Sequence, residues 1–127
     1  MSALAPILAV DDSAPIREMI LAVLAGRGLR VVTAADGQEA LERLRTAAEP
    51  YIVLLDIVMP VMDGLQLCAE IEKDATVRAA GHQIILMSST MRLNGQHIPV
   101  VSAYLNKPFT RQQLIEVVTS AQQAIYA

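Results

Sequence analysis

Three aspartates, a serine and a lysine stand where apolar runs of this chain stop. Asp11 and Asp12 follow Ile7-Leu8-Ala9-Val10, Asp56 follows Tyr51 to Leu55, Ser88 follows Gln83 to Met87, and Lys107 comes just after Ala103-Tyr104-Leu105. Carboxylates at close quarters cannot all stay ionised unless a cation offsets them. Oxygen donors without histidine or cysteine select a hard ion, Mg²⁺ with Mn²⁺ as the alternative, over zinc or copper. A partly hydrated Mg²⁺ keeps positions open for a phosphate oxygen, Lys107 is a flexible point charge suited to another, and Ser88 can donate a hydrogen bond to a third. The set describes a phosphoryl site whose acceptor is a carboxylate. Asp56 is the candidate nucleophile, because it stands alone at the end of its run while the adjacent pair is better placed to hold metal.

That chemistry requires residues distant in sequence to meet, so the elements between them have to bring them to one place. Tyr51 to Leu55 is too short for a helix and too uniformly apolar for a half-exposed strand, and reads as a central strand buried on both faces. Ile7 to Val10 is strand one. Ser13 caps helix one, whose first turn tolerates Pro15 and whose Ile16, Met19, Ile20, Val23 and Leu24 recur at helical spacing until Gly26 and Gly28. Arg30 to Ala34, with three β-branched residues, is strand two. Asp36 and Glu39 form a capping-box pattern opening helix two, with Ala40, Leu41 and Leu44 inward and an end near Pro50. Asp63 and Gln66 open helix three in the same way, with Leu67, Cys68 and Ile71 inward, and Gln83 to Met87 is strand four.

Beyond strand four, Asn94-Gly95 is a turn signal and Pro99 interrupts any helix running through it, so the fourth helix, between strands four and five, is short or distorted. Ala103 to Leu105 is a brief fifth strand. Thr110 and Gln113 then cap a last helix bearing Leu114, Val117, Val118, Ala121 and Ile125. Strands alternating with helices give an α/β, doubly wound, five-stranded parallel sheet with helices on both faces. The strand C-termini of such a sheet share one edge, where ligands bind, and all five candidate residues fall there.

Composition bounds the rest. The 127 residues make one domain, 1–127, whose 54% hydrophobic and 3% aromatic content implies a core of aliphatic side chains and methionine, Met59 and Met62 among them. A net charge of −3 and the lack of a Lys/Arg stripe disfavour direct nucleic-acid binding. No apolar run is long enough to span a bilayer and the start lacks a basic leading region, so the expected setting is cytoplasmic, away from membranes. Cys68, the sole cysteine, permits no internal disulfide and reads as a small buried apolar residue. His82 and His97 have no companions at metal-ligand spacing and read as loop residues.

The acidic pair after strand one, Leu54-Leu55-Asp56-Ile57-Val58-Met59-Pro60 with Met62-Asp63-Gly64, the hydroxyl ending strand four, and Tyr104-Leu105-Asn106-Lys107-Pro108-Phe109 come in a specific order. Over nearly its whole length the chain resembles the receiver domains of bacterial two-component response regulators, of the single-domain chemotaxis-regulator kind. The resemblance implies a flavodoxin-like sheet in the order 2-1-3-4-5. It implies that Asp56 accepts a phosphoryl group from a phosphohistidine of a sensor histidine kinase or histidine phosphotransfer protein. Asp12, Asp56 and the Val58 backbone carbonyl would bind Mg²⁺ directly, with Asp11 acting partly through water. Lys107, whose bond to Pro108 would be cis, would pair with the phosphoryl group. Ser88 would move toward the phosphoryl oxygens and Tyr104 would turn inward, altering the surface of helix four, strand five and helix five for an output partner yet to be identified. Val58 and Thr90 fall at positions that in this family influence how readily water attacks the phosphoryl group. Pairing of two phosphorylated copies is left open.

The chain is thus expected to be a switch that catalyses only its own phosphorylation and dephosphorylation, not an enzyme acting on other molecules. A phosphatase working through an aspartyl-phosphate would want a second acid two residues after the nucleophile, where Val58 stands. A nucleotide or flavin module would want a Gly-rich or Ser/Thr-rich loop where Asp11-Asp12 stand. A receiver cut from a larger regulator or hybrid kinase is a further alternative; Met1 directly before strand one and the end at Ala127 suit a stand-alone regulator.

Overall fold

The structure, a computed structural model, describes residues 4–89 and 98–126. Five strands, β1 (Ile7–Val10), β2 (Val31–Ala34), β3 (Ile52–Asp56), β4 (Gln83–Ser88) and β5 (Val101–Asn106), pair in parallel in the order β2-β1-β3-β4-β5. The order and the all-parallel pairing are those expected. Around them run α1 (Ala14–Ala25), α2 (Gly37–Arg45), α3 (Gly64–Lys73), α4 (Ala75–Ala79) and α5 (Arg111–Tyr126).

The uniformly apolar strands are explained by what covers each face. Leu8, Val10, Val53, Leu55, Ile84 and Leu86 point to one side, where they pack with Ala40, Leu41 and Leu44 of α2, Leu67, Cys68 and Ile71 of α3, and Val77 of α4. Ile7, Ala9, Ile52, Leu54, Ile85 and Met87 point to the other, against Ile20 and Leu24 of α1 and Leu114, Val118 and Ala121 of α5. Alternate side chains therefore enter different cores, and neither set can be polar. The edge strand β5 is buried only intermittently, which is why its sequence carries Ser102 and Asn106.

Helix starts follow the capping chemistry. Ser13 Oγ accepts the Ile16 N–H at 3.4 Å, and Asp36 Oδ1 accepts the Glu39 N–H at 2.9 Å. Asp63 and Gln66 exchange hydrogen bonds at 2.8 Å each way, and Thr110 and Gln113 do so at 3.0 and 2.8 Å. At α2 the box is incomplete: the Glu39 carboxylate reaches the Ala35 N–H, at 3.5 Å, instead of Asp36.

Several boundaries differ from the expectation. Helix two stops at Arg45, short of Pro50, because Thr46 Oγ1 turns back to the carbonyls of Glu42 (3.2 Å) and Arg43 (3.4 Å) and offers the chain an alternative to further helix. Strand five is longer than Ala103 to Leu105, since β4 supplies a partner from Ile84 through Ser88 despite a register shift at Ile84/Ile85. The short α4 was not anticipated; Asp74 ends α3 and then caps α4 by accepting the Val77 N–H at 3.1 Å. The expected helix between strands four and five, with Thr90 and His97, lies outside the described residues. His82 is in the loop before β4, as expected, but it is half-buried and its Nδ1 accepts the Tyr51 N–H at 2.8 Å. No helix among the described residues is long and apolar enough to cross a membrane.

Candidate phosphoryl-transfer site

Each functional side chain sits at the C-terminal end of a parallel strand, the edge expected to carry the site. Asp11 leaves β1 with its N–H still on Ala34 of β2, at 3.2 Å, and its side chain is only 1% exposed. One carboxylate oxygen accepts the Ser13 N–H at 2.9 Å and the other accepts Lys107 Nζ at 2.8 Å. Asp12, beside it, is exposed. Asp56 ends β3, opposite Met87 of β4, and accepts Lys107 Nζ on Oδ1 at 3.1 Å. Ser88 ends β4, buried, and its carbonyl accepts the Lys107 N–H at 2.7 Å, so β4 itself hangs the lysine at the edge. The Lys107–Pro108 bond is cis, as anticipated.

Five residues from four strand ends are thereby brought together. One carboxylate oxygen from each of Asp11, Asp12 and Asp56 lies within 4.8 Å of the others. Burial raises the Asp56 carboxyl above its usual range, and the charge of Asp11 adds to this, while the hydrogen bond from Lys107 pulls the other way. For Lys107 burial works to lower the ammonium, but its hydrogen bonds to Asp11 and Asp56 prevail and hold it above its ordinary value. Lys107 therefore stays charged, and three carboxylates face one ammonium.

The donor set fits a hard divalent cation. It is all oxygen, it has negative charge to spare, and its atoms need move only slightly to reach the spacing of about 3 to 4 Å that octahedral Mg²⁺ sets between its ligands. Asp11 has both oxygens already engaged, so Asp12 and Asp56 are the freer ligands.

The remaining candidates are placed as follows. Val58 is 77% exposed and Tyr104, on β5, is 47% exposed with its side chain outward. Thr90 lies outside the described residues. Sequence reasoning missed one support and left another without its reason. Arg17 Nη1 donates to the Asp11 carbonyl at 2.6 Å, fixing the acidic turn; its signal was a long cation in the first turns of α1, where side chains lean back toward the helix start. Gly64, part of the motif after Asp56, packs so tightly that a Cβ there would stand 2.3 Å from the Asp56 carbonyl oxygen, a close approach that only the structure shows.

Comparison with known proteins agrees with this geometry. The model of the response regulator receiver domain matches residues 7–119. Protein PilG of Pseudomonas aeruginosa is 33% identical over 112 residues, a stretch covering 86% of this chain and 81% of PilG. The probable transcriptional regulator ycf27 of Guillardia theta is 38% identical over 112 residues, 85% of this chain but 41% of that protein. The chain spans less than half the length of several such regulators. Among solved structures, a CheY-like response regulator receiver domain protein of Methanospirillum hungatei superposes with a TM-score of 0.84 at 26% identity, covering 96% of this chain and 97% of that one. TrrA of Thermotoga maritima, solved in complex with Mg²⁺-BeF, gives 0.78 at 31% identity, with 93% and 99% covered. The matched span takes in every strand and all of α5 but its last turns, and the chain belongs to the response regulator receiver domain family.

Proposed function

We propose that this receiver domain is a phosphorylation-dependent switch in which Asp56 accepts a phosphoryl group from the phosphohistidine of a sensor histidine kinase or phosphotransfer protein. The observation that carries the reading is Lys107 Nζ, held 2.8 Å from Asp11 and 3.1 Å from Asp56, beside a third carboxylate. An Asp56 oxygen attacks phosphorus in line with the leaving imidazole; the new O–P bond forms as the P–N bond breaks, and the imidazole keeps the electron pair. Asp12, Asp56 and the Val58 carbonyl are the groups to hold Mg²⁺ directly, with Asp11 acting partly through water. When bound, Mg²⁺ supplies positive charge to the phosphoryl oxygens.

Lys107, already within reach of Asp56, pairs with the transferred group, and Ser88 on the adjacent strand end donates a hydrogen bond to it. Tyr104 then leaves its exposed position and turns inward, so that the surface around β5 and α5 presents a different face to an output protein. Val58 offers no acid and no amide to orient an attacking water, which favours a moderately long-lived phosphoryl state and argues against a phosphatase. Thr90 is the other position proposed to tune that lifetime.

Mg²⁺ with beryllofluoride, which mimics a phosphoryl group, tests the switch in solution. The expected result is amide shift changes at Ser88 and along β5 that are absent in Asp56→Asn. Changes confined to the turns around Asp11 and Asp56, with β5 unmoved, would leave a metal site without a switch.

A further inference from the structure

The loop that carries Asp56 into α3 is strained and is gripped from outside the site. Val61 has φ 68, the one non-glycine residue at positive φ among those described. For a β-branched side chain that is a true outlier. The Pro60 carbonyl accepts the Met62 N–H at 2.7 Å, which makes Val61 the centre of a γ-turn of the rare, strained hand. The Val61 side chain is 78% exposed, so its own burial does not hold it there. Something else must.

Two backbone contacts close around the turn. At one end the Gly64 N–H donates to the Ile57 carbonyl at 2.8 Å, and Gly64 rests on the Asp56 carbonyl. At the other, the Gly37 N–H, at the start of α2, donates to the Met62 carbonyl at 2.9 Å. A Cβ on Gly37 would lie 2.5 Å from that oxygen and 2.9 Å from Met62 Cγ. Gly37 is therefore required for space, since backbone cannot yield as a flexible side-chain end can. The Gly64–Ile57 hydrogen bond closes the loop into a ring, so the Met62 carbonyl and the backbone next to the acceptor belong to one hydrogen-bonded unit.

We propose that Gly37 is a positioning residue for the acceptor site: by clamping the Met62 carbonyl it holds the strained turn at Val61 and so fixes the backbone from Asp56 to Val58. The inference rests on the phosphoryl-acceptor reading of Asp56, but its mechanical part does not. A purely structural glycine joining α2 to the loop would make metal affinity follow overall stability. The clamp makes the two separable.

The test compares the full chain with Gly37→Ala and Val61→Gly by melting temperature, by titration with Mg²⁺ alone, and by hydrogen exchange of the Ile57 and Val58 amides without metal. Gly37→Ala should melt lower; Val61→Gly, relieved of strain, should melt no lower than the parent. Gly37→Ala should bind Mg²⁺ about tenfold more weakly, the scale of loss expected when a loop is released from its productive position, and should exchange faster at Ile57 and Val58. Val61→Gly keeps the clamp and puts a residue at ease with positive φ in the turn, so it should keep parental affinity and exchange. A third variant, Gln122→Ala, loses two hydrogen bonds to Ala5 far from the site and should melt lower with Mg²⁺ affinity unchanged. The clamp is overturned if Gly37→Ala keeps parental Mg²⁺ affinity and exchange, if Val61→Gly melts lower, or if Gln122→Ala loses affinity in step with stability. Should Gly37→Ala fail to fold, the same substitution in the Val61→Gly background is judged by the same readouts. A parent that binds no Mg²⁺ removes the phosphoryl reading, and exchange at Ile57 and Val58 still judges the clamp.

Discussion

Protonation of His82 is tied to the backbone at the head of β3, because Nδ1 must be bare to accept the Tyr51 N–H and Nε2 is enclosed with no hydrogen-bond partner among the described residues. Burial lowers its pKa below 6.5 in the folded chain. Between the lowered value and about 6.5 the unfolded chain binds the extra proton, so stability rises with pH there. The His82 contribution is thus complete above about pH 6.5 and is lost as pH falls through the folded value. His82→Asn, whose side-chain oxygen can accept the same N–H, should lose less melting temperature than the parent from about pH 7.5 to about 5.5. Parallel curves would separate His82 from acid sensitivity. Val58 supports a second prediction: Val58→Asn should lose its phosphoryl group several-fold faster, about the scale of a modest change in water orientation. Equal rates would remove Val58 from the account. Asp11, Asp12, Asp56, Ser88 and Lys107 were legible in the sequence because each interrupts or follows an apolar run. Arg17 and Gly37 were not, since their importance lies in backbone atoms of other segments. Cys68 was read correctly as packing; burial pushes its thiol up to about 12, which leaves no thiolate for chemistry.

At the scale of elements, caps and faces were legible because they are local. Ser13, Asp36, Asp63 and Thr110 all start helices, and the expected inward residues of α2 and α3 are buried. Endings were harder. Helix two outran its true limit on paper because Thr46 has two uses for its hydroxyl, and α4 was missed because five residues hold too little periodicity to register. The least legible feature is Gln122, a polar residue on the buried face of α5. Its amide exchanges two hydrogen bonds of 2.8 Å with the backbone of Ala5, stitching the last helix to the entry of β1. Gln122→Ala should strand both Ala5 groups and cost about 1 to 3 kcal/mol by urea unfolding. It should leave phosphorylation intact, since Ala5 lies at the opposite end of β1 from Asp11. A loss below about 0.5 kcal/mol would mean that water replaces the amide.

For the whole molecule, strand order is the property that local sequence does not encode, because each crossover can pass to either side of the strand before it. The order 2-1-3-4-5 entered through resemblance, and it places β1 and β3 side by side so that the acids of both ends meet. That meeting concentrates charge in a chain whose net charge is only −3. Lys107→Met removes the ammonium from between two carboxylates, one of them almost fully buried. Without metal it should destabilise the chain by about 3 kcal/mol, the usual scale for orphaning a buried charge. Mg²⁺ should then raise its melting temperature by more than it raises the parent's, because the acids lack their internal counter-charge. An equal Mg²⁺ effect in both proteins would mean that lysine and metal do not share ligands. The central claim, that Asp56 is the covalent acceptor, is tested most directly by incubating the chain with Mg²⁺ and acetyl phosphate and measuring bound phosphate beside Asp56→Asn. The account predicts one acid-labile and base-labile phosphoryl group that requires Mg²⁺ and is absent from the variant. Label that persists in Asp56→Asn, or none in the parent from either acetyl phosphate or a phosphorylated histidine kinase, would contradict it.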